Sequence, residues 1–456
     1  MTLVEPRKIA RLREAIKGTV ILPGESAYDD ARATFNAMIE RRPFLIVRCA
    51  SIPDVVRTVT FAADEGLPIS VRGGGHAVAG HCIGDGAVVV DLAGLKHVDV
   101  DPASRRANAG GGVTWEEFDP VCFEYGLATT GGTFADTGIG GLTLGGGLGF
   151  LQGRYGLTVD NLVCAEVVTV DGRVLSASTD EHDDLFWAIR GGGGNFGVVT
   201  SFGFRLHSIT TLLGGLIIYA MAQARDVIRL FREVAATKSD ALSCQLVIRN
   251  APEPIGQKVL MIAVCFNGPV NEGEKAIRAL RSVPVLADQV RPMSYLEVQT
   301  IFAKYPFGLR HYWKGYFLRE LPDEVIDSTI EYFQAYPSDR RGGPLLEELY
   351  GAPARVPNGA MAFNQRDARF NLSGLSVWQD PDGDAGAVRW AREYAATIEP
   401  HSITGTGYGN YATELEPVER LRVAYGPEKF DRLRRIKRSY DPNNLLRFNQ
   451  NIPPAP

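Results

Sequence analysis

Short apolar runs and helical patterns alternate through the first two hundred residues. Residues 25–39 have helical spacing with acidic residues early, and the run RRPFLIVRC that ends at Cys49 is typical of a buried strand. Ser51–Asp54 has the composition of a helix start, and apolar residues at helical spacing follow as far as Gly66. A second buried strand is predicted over Leu67–Val71. The pattern therefore predicts a strand–helix–strand unit that leads directly into the loop beginning at Arg72.

The next hundred residues predict hairpins and two short helices. A strand is expected over Gly86–Leu92, a hairpin over 98–113 and a helix over Trp115–Tyr125. Residues 162–177 predict another hairpin, because Asp171-Gly172 is a turn pair between two apolar runs. A helix that breaks into four glycines and then a strand follow over 183–206.

From about residue 207 the glycines thin out and the predicted segments lengthen. Strands are expected near 212–221, 243–249, 257–266, 309–319 and 368–378, with helices near 224–237, 271–281, 323–335 and 384–397. Alternation in FNLSGLSVW favours an antiparallel sheet with one face toward a cavity. The pattern predicts a first domain over 1–206, a substrate domain over 207–407, and a C-terminal segment, 408–456, that docks back on the first domain.

Glycine is the outlier in an otherwise ordinary globular composition, with 50 residues in 456 against a usual share of about 7%. Ten of the 23 residues from Gly131 to Gly153 are glycine, and they are interleaved with apolar residues. A flexible linker would instead be polar and Ser-rich. This segment, which we call the cradle, is therefore predicted to be ordered and to lie against a ligand.

The loop Arg72-Gly73-Gly74-Gly75-His76 follows the second predicted strand. Three glycines remove every Cβ from this part of the chain, so successive N–H groups are free to turn toward an anion, and Arg72 adds positive charge. The pattern favours a loop that holds the pyrophosphate of a dinucleotide, with His76 bonded to that cofactor. A glycine-rich turn with a surface histidine is the alternative that this segment alone leaves open.

Charge and cysteine usage exclude several classes. The net charge is −5, no long basic run is present and no apolar stretch has the length of a membrane span, so neither nucleic acid nor a membrane is expected as a partner. The N-terminal residues lack the apolar region of a secretory signal, and the six cysteines are scattered without CxxC pairs. Free thiols and a cytoplasmic location are the expectation.

Three other functions fit parts of the pattern. A nicotinamide-dependent dehydrogenase needs G-x-G-x-x-G opening a helix, whereas the Gly73–Gly75 loop enters another turn and strand. A metal module could use His76, His81 and Cys82, but it lacks a fourth ligand at zinc spacing, and no metal is expected. A binding or storage protein that holds such a cofactor with little turnover would carry the same cradle.

Several motifs occur together and in order along the chain: Arg72–His76, the cradle, Tyr155–Leu157 with Asp160-Asn161, Trp187–Gly197, Tyr408–Tyr411, and the tail from Tyr440 to Gln450. In this arrangement the chain resembles the berberine bridge enzyme-like FAD-linked oxidases of the vanillyl-alcohol oxidase/p-cresol methylhydroxylase superfamily, in their bacterial, singly linked form. The resemblance implies an α+β fold with a two-part FAD-binding domain of the p-cresol methylhydroxylase type. It also implies a substrate domain whose antiparallel sheet is backed by helices.

The resemblance implies FAD as cofactor, attached covalently through His76. The other residues expected to bind it are Arg72, Gly73, Gly74, Gly75, Ala77, Gly80, His81, Thr133, Thr137, Gly138, Gly141, Gly145, Gly146, Gly147, Gly149, Tyr155, Gly156, Leu157, Asp160, Asn161, Gly197, Val198, Tyr408, Asn410, Asn449 and Gln450.

Two positions of the cradle, Phe134 and Thr137, bear on how the cofactor is attached and on which electron acceptor is expected. Many relatives carry a second flavin link from a cysteine in a Gly-Thr-Cys context, but here that position is Phe134, so a single bond through His76 is expected. Cys82 lies off the matching position. Thr137 falls where the family places a residue that gates oxygen, and its small side chain favours an oxidase that uses O2 over a dehydrogenase with another acceptor.

The catalytic base is the least determined part of the site. Tyr408 and Tyr411 match the family's Tyr-x-Asn-Tyr motif, and Tyr411 is at the position of its base, although packing between domains is the structural alternative for both. Asn371 stands where some members carry a glutamate. An amide is no base, so the role falls to Tyr411, with Arg366 as a source of positive charge that would lower its pKa, or no base is needed.

The substrate is expected to be a small oxygenated or aromatic metabolite or a sugar, oxidised at an alcohol, amine or activated C–H, with release of H2O2. Secondary metabolism is one setting that fits. The residues expected to line its site are Tyr295, His311, Trp313, Phe363, Gln365, Arg366, Asn371 and Tyr411, with Gln299, Tyr312 and Ser373 as further candidates.

Overall fold

The structure is a computed structural model that describes residues 4–251 and 256–456. Its first unit contains α1 Pro6–Ala15, β1 Thr19–Ile21, α2 Tyr28–Arg32, β2 Leu45–Arg48, α3 Ile52–Asp64, β3 Ile69–Arg72 and β4 Val88–Asp91. The four strands form one sheet in the order β1-β2-β4-β3, in which β2 and β3 run parallel to β4. Because β3 and β4 are parallel, the chain between them has to cross over the end of the sheet, and the Arg72–His76 loop starts that crossing.

The helix predicted over 25–39 is much shorter than its pattern indicates. Helix α2 ends at Arg32, and Phe35 and Asn36 leave the helix to become fully buried. The Asn36 side chain donates to the carbonyls of Val78 (2.7 Å) and His311 (2.9 Å). These tertiary hydrogen bonds outweigh the local helical preference, so the segment becomes a bridge between the loop after β3 and the backbone at His311.

The second unit contains β5 Val98–Asp101, β6 Arg106–Gly110, α4 Trp115–Phe123, β7 Leu127–Ala128, α5 Ile139–Leu144, α6 Gln152–Tyr155, β8 Leu162–Val168, β9 Val174–Ser178, α7 Asp183–Ile189 and β10 Val198–Arg205. Its antiparallel sheet has the order β5-β6-β10-β8-β9. The cradle crosses between α4 and β8 and folds into the two short helices α5 and α6. A core that includes Trp115, Phe118, Phe202 and Phe204 supports it from below.

The third unit contains β11 His207–Ser208, β12 Leu212–Ala220, α8 Ala224–Thr237, β13 Leu242–Asn250, β14 Lys258–Phe266, α9 Val270–Ala276, β15 Ala287–Asp288, β16 Arg291–Met293, α10 Tyr295–Val298, β17 Arg310–Leu318, α11 Asp323–Gln334, β18 Arg341–Glu348, α12 Ala352–Arg355, β19 Phe370–Trp378 and α13 Asp384–Ile398. Strand β11 pairs with β7 of the second unit. The other strands form an antiparallel sheet in the order β15-β12-β14-β13-β18-β19-β17, with β16 also on β12. Helices α8, α11 and α13 cover one face, and the other face turns toward the first domain.

This large sheet, with its separate helical layer, confirms the predicted α+β class. The strand β18 was not predicted. Its sequence RGGPLLEE carries two glycines with positive φ, Gly342 and Gly343, followed by Pro344, and these residues are signals for a turn. They are accommodated because β18 lies between β13 and β19, where pairing on both sides holds an irregular strand in place.

The C-terminal residues form α14 Val418–Tyr425 and α15 Pro427–Tyr440. Leu421, Phe430 and Leu433 join the core of the second unit. The buried Lys437 ammonium group donates to Asp441 (2.6 Å) and to the carbonyls of Asn195 and Leu446, which ties the tail to the first domain.

All six cysteines are free thiols. Among the helices of residues 4–251 and 256–456, none combines the length and the apolar character needed to cross a membrane.

Candidate functional site

An elongated cavity of about 360 Å³ runs between the first domain and the open face of the large sheet. Its floor is formed by the loop after β3, by residues between 133 and 148 of the cradle and by the glycine loop 191–194. Its far wall comes from β17 and from residues 406–412, and its end comes from the C-terminal tail. Segments from all parts of the chain therefore meet around one space.

Two glycine loops meet backbone to backbone at the floor. A Cβ atom on Gly74 would lie 2.6 Å from the Gly138 nitrogen, and one on Gly138 would lie 2.5 Å from the Gly74 nitrogen. Separations under 3 Å are forbidden by sterics, so neither position accepts a side chain. The isolated bridge between Thr114 and Gly138 and the hydrogen bond from Phe35 N to Gly75 O fix the two loops on either side of this contact.

The residues of the cavity fit a dinucleotide such as FAD. Gly141, Gly194 and Gly409 line the cavity, and an added Cβ at any of them would meet no atom within 4 Å, so the backbone faces open space. Two buried polar atoms at the same wall, His81 Nε2 and Asn449 Oδ1, have no hydrogen-bond partner among residues 4–251 and 256–456. A ligand with polar groups along its length would satisfy both atoms and fill the space in front of the glycines.

His76 is held in one orientation beside the floor. Its ring stacks on Phe35 at 3.8 Å between centroids and 19° between planes, and Phe35 in turn stacks on His311 at 4.2 Å. The Nε2 atom of His76 lies 3.7 Å from Asp136 Oδ1. Burial lowers the pKa of His76, while the negative charge of Asp136 opposes that shift, so the imidazole is neutral at pH 7.

Most of the residues predicted to bind the cofactor line this cavity. They are Gly73, Gly74, Gly75, His76, Ala77, His81, Thr133, Thr137, Gly138, Gly141, Gly145, Gly197, Tyr408, Asn410, Asn449 and Gln450. Phe134 and Cys82 also lie on the wall. The Tyr408 hydroxyl accepts from Gly147 N (2.8 Å) and from Asn410 Nδ2 (2.7 Å), so it holds the cradle in shape.

The remaining predicted cofactor residues lie one layer behind the wall. They are Arg72, Gly80, Gly146, Gly147, Gly149, Tyr155, Gly156, Leu157, Asp160, Asn161 and Val198. Each has a structural contact instead. Arg72 donates to Ala31 O at 2.5 Å, the Tyr155 ring stacks on His207 at 3.8 Å, and Asp160 forms a buried ion pair with Arg366.

Of the predicted substrate residues, Trp313, Phe363, Gln365 and Tyr411 line the cavity. Tyr295 lies under the cradle, where it donates to Thr129 O, and Gln299 donates to Gly132 O nearby. His311 is separated from His76 by the Phe35 ring.

Three other candidates also lie off the wall. Tyr312 faces the helical layer, where Arg392 donates to its hydroxyl oxygen. The Ser373 Oγ atom is buried beside Gly315 and has no partner. Asn371 is buried on the face of the sheet that turns toward the cavity, together with a residue that sequence reasoning missed.

That residue is Glu347 on β18. Its side chain is fully buried, Tyr411 Oη donates to its Oε1 at 3.2 Å, and Asn371 Nδ2 donates to its Oε2 at 2.8 Å. Burial raises the pKa of Glu347 to about 7, against the two hydrogen bonds that lower it. A carboxyl with a pKa this close to neutrality is suited to accept a proton.

Asn371 therefore does not take over the role of the glutamate that some family members carry at this position. It orients Glu347 on the neighbouring strand β18 instead. The register pairs Glu347 with Asn371 on β19 and with Gln245 on β13, so all three side chains project from the same face. The next residue, Glu348, faces the other way and pairs with Lys238 at 3.0 Å. The sequence signal available for this strand is the apolar Pro344-Leu345-Leu346 run, which two adjacent acidic residues follow.

The expectation that Arg366 ionises Tyr411 is wrong. Both terminal nitrogens of Arg366 donate to Asp160, at 2.6 and 3.0 Å, so its charge is already paired. Burial and the neighbouring negative charge of Glu347 raise the pKa of Tyr411 well above its ordinary value. Tyr411 is thus a neutral phenol that donates to Glu347 at rest.

Comparison with known proteins defines the class of this site. A model of the FAD binding domain matches residues 43–178, which include the loop after β3 and the whole cradle. A model described as berberine and berberine like matches residues 407–453, which include Tyr408, Tyr411 and the tail. The protein is an FAD-linked oxidoreductase.

Relatives align over nearly the whole chain. The sequence is 32% identical to (R)-6-hydroxynicotine oxidase of Paenarthrobacter nicotinovorans, over 96% of this chain and 97% of that enzyme. It is 28% identical to the xylooligosaccharide oxidase of Thermothelomyces thermophilus, over 92% and 89%. The crystal structure of 6-hydroxy-D-nicotine oxidase from Arthrobacter nicotinovorans superposes with a TM-score of 0.87 at 30% identity, over 96% of this chain and 98% of that one. The chain belongs to the berberine bridge enzyme-like FAD-linked oxidases of the vanillyl-alcohol oxidase/p-cresol methylhydroxylase superfamily, which confirms the resemblance and the FAD-binding architecture.

Proposed function

We propose that this protein is an oxidase that takes a hydride from a small oxygenated or aromatic metabolite or a sugar, at an alcohol, amine or activated C–H, and uses O2 as acceptor with release of H2O2. The single observation that carries the proposal is the Glu347–Tyr411–Asn371 cluster, which joins a buried carboxyl of near-neutral pKa to the cavity wall. Named relatives that act on 6-hydroxynicotine and on xylooligosaccharides support a small polar substrate.

FAD, when bound, supplies the hydride acceptor. The chain has to remove the accompanying hydroxyl or amine proton. Tyr411 lines the cavity whereas Glu347 lies behind it, so the substrate proton passes to the Tyr411 oxygen while the phenol proton passes to Glu347. This relay never requires a free phenolate, which the raised pKa of Tyr411 disfavours. Asn371 holds the carboxylate for this transfer.

The aromatic side chains around Tyr411 orient the substrate and exclude water. The Trp313 ring meets the Tyr411 ring edge-on at 5.6 Å, and the Tyr408 ring lies 4.9 Å away. Phe363 and Gln365 close the cavity nearby. Thr137 leaves room on the wall of the cradle, and we assign it to the approach of O2.

We further propose that the cofactor is attached through His76 alone. Phe134 offers no nucleophile at the second position, with its ring 6.5 Å from that of His76. Cys82 lies on the wall, but burial raises the pKa of its thiol and keeps it protonated and unreactive. The imidazole of His76 is neutral and lies at the floor of the cavity. Both properties are needed for one of its nitrogens to form a bond with the cofactor.

Acid precipitation of the purified protein tests the attachment, and a panel of alcohols, amines and sugars tests the activity. We expect a yellow protein whose colour stays with the precipitate, and His76→Ala should release all of its flavin. We also expect peroxide with at least one substrate class. Flavin that leaves the wild-type chain on precipitation would contradict the attachment. Reduction of dyes without peroxide would make the protein a dehydrogenase, and no turnover on the whole panel would indicate a binding protein.

A further inference from the structure

Asp136 has no structural partner that explains its position. Its Oδ1 atom is buried and forms no hydrogen bond. Among the residues that the structure describes, its ionic contact is with His76 Nε2, at 3.7 Å, and no lysine or arginine pairs with it. A buried carboxylate oxygen that faces an imidazole and lacks other compensation is costly to keep.

The backbone places Asp136 beside His76 by construction. The two loops cross at Gly74 and Gly138, where their backbones touch. His76 lies two residues after the first glycine and Asp136 two residues before the second, so the crossing brings these two side chains close together, with His76 on the cavity wall. Glu116 N donates to Ala135 O and Trp115 N to Thr137 O, which pins the residues on either side of Asp136 to the start of α4.

We propose that Asp136 is the proton acceptor for self-catalysed attachment of FAD to His76. This inference rests on the covalent link proposed above, and it adds a catalytic residue for the making of that link. A carboxylate on one ring nitrogen fixes the N–H there and leaves the lone pair on the other nitrogen, the arrangement that activates an imidazole. Here Asp136 Oδ1 lies 3.7 Å from Nε2, so its charge favours the tautomer that carries the hydrogen on Nε2 and leaves the lone pair of Nδ1 to form the bond.

The atoms and electrons balance with O2 as the oxidant. His76 Nδ1 forms a bond to the 8α carbon of the flavin, and the C–H bond that it replaces loses its hydrogen as a proton. The electron pair of that C–H bond stays on the flavin ring until O2 removes it, together with two protons, as H2O2. The Nε2 proton of His76 passes to Asp136 and then to solvent, so one methyl hydrogen and one imidazole hydrogen are lost for each H2O2 formed.

Phe35 keeps the ring of His76 in the plane that this transfer needs. Its ring covers one face of the imidazole, and the Asn36 side chain donates to Val78 O two residues beyond His76. Desolvation favours the neutral imidazole, which has the lone pair that attachment requires.

The experiment follows attachment directly. Wild type, Asp136→Asn, Asp136→Glu and Glu116→Gln are produced as flavin-free protein in riboflavin-starved cells, incubated with added FAD in air, and sampled over time for in-gel flavin fluorescence after denaturation. Glu116 is the matched control because its amide donates to Ala135 O, next to Asp136, while its carboxylate pairs with Lys304. Total flavin before denaturation is read from absorbance at the same times.

We expect Asp136→Asn to bind FAD but to attach it at least about 100-fold more slowly, within the range for loss of a general base. Asp136→Glu should recover part of the rate, and Glu116→Gln should match wild type. Attachment by Asp136→Asn at the wild-type rate would overturn this inference alone. A wild-type protein without covalent flavin would overturn the proposed link and this inference together. Loss of all flavin binding in Asp136→Asn would assign a structural role and would also overturn it.

Discussion

The cradle and the open face of the large sheet form opposite sides of one cavity from different parts of the chain. Where the cradle meets the loop after β3 the contacts come from backbone, because Gly74 and Gly138 have no room for side chains. At the sheet the contacts come from side chains, and Glu347 reaches the cavity only through the hydroxyl of Tyr411. The first side is built to bind a cofactor of fixed shape, whereas the second is built to move a proton.

The two sides also differ in what a substitution removes. A substitution at a glycine of the cofactor side reduces the space available to the cofactor, so it should affect cofactor binding before it affects chemistry. A change on the sheet alters charge or hydrogen bonding, so it should affect turnover while the cofactor stays bound. Each prediction below separates these two outcomes.

The largest effect on cofactor binding is expected for Gly74→Ala. The new Cβ would lie 2.6 Å from Gly138 N, and because backbone cannot rotate away, the two loops have to separate. We expect flavin binding by the protein to weaken about 5- to 150-fold, because an overpacking cost of about 1–3 kcal/mol corresponds to that range when 1.4 kcal/mol is tenfold. Absorbance at the flavin bands measures it.

Gly359→Ala is the control for this substitution. An added Cβ at Gly359 meets no atom within 4 Å, and Gly359 is not part of the cavity wall. A Gly74→Ala protein with full flavin content would show that the crossing of the two loops is not what forms the cofactor site.

Glu347→Gln should leave flavin bound and slow its anaerobic reduction by substrate by about 10²–10⁴-fold, the usual contribution of a general base. The wild-type kcat/KM should rise with pH through about 7, where the carboxyl ionises. Because the folded-state pKa lies above the unfolded value of 4.5, the native protein binds the extra proton between about pH 4.5 and 7. The contribution of this group to stability therefore falls as the pH rises through that window.

Asp119 is the matched control for the Glu347 prediction, because it is a second buried carboxyl whose pKa is raised to about 7 by burial. It accepts from Gln299 beneath the cradle, away from Tyr411. Asp119→Asn should remove a similar pH dependence of the melting temperature but leave the kinetic pH profile unchanged. A kinetic profile that keeps its rise near pH 7 in Glu347→Gln would assign the base elsewhere.

Tyr411→Phe should have a smaller effect, about tenfold on the rate of flavin reduction, because a water molecule in place of the hydroxyl still reaches the carboxylate. The phenol hydrogen bond lowers the pKa of Glu347, so its loss should move the rise of kcat/KM to higher pH. Tyr332→Phe, in the helical layer, is the control. An unchanged position of the kinetic rise would mean that Tyr411 and Glu347 are not coupled during turnover.

Much of the cofactor side could be predicted from the sequence. The cradle and the loop before His76 are rich in glycine. Such segments have few structural alternatives, because positions that lack room for a Cβ accept only glycine. The resemblance to the family rests on such positions, and the two matched domain models agree with it.

The sheet side could not be predicted in the same way. Glu347 and Tyr411 are 64 positions apart, and Glu347 and Asn371 meet only because β18 and β19 pair in one register. Local sequence preferences also differ from the observed structure, since Gly342 to Pro344 favour a turn and residues 25–39 favour a longer helix than α2. Pairing on both edges of β18 and the burial of Phe35 and Asn36 outweighed those preferences.

The sequence by itself determined the family, the cofactor class and the residue expected to carry the cofactor, because those depend on residue types at fixed spacing along one stretch of chain. Only the tertiary structure decided which carboxyl lies behind Tyr411, which carboxylate faces His76, and that the charge of Arg366 is paired with Asp160. The physical reason is that the pKa and the reach of a side chain depend on its burial and on its neighbours in space.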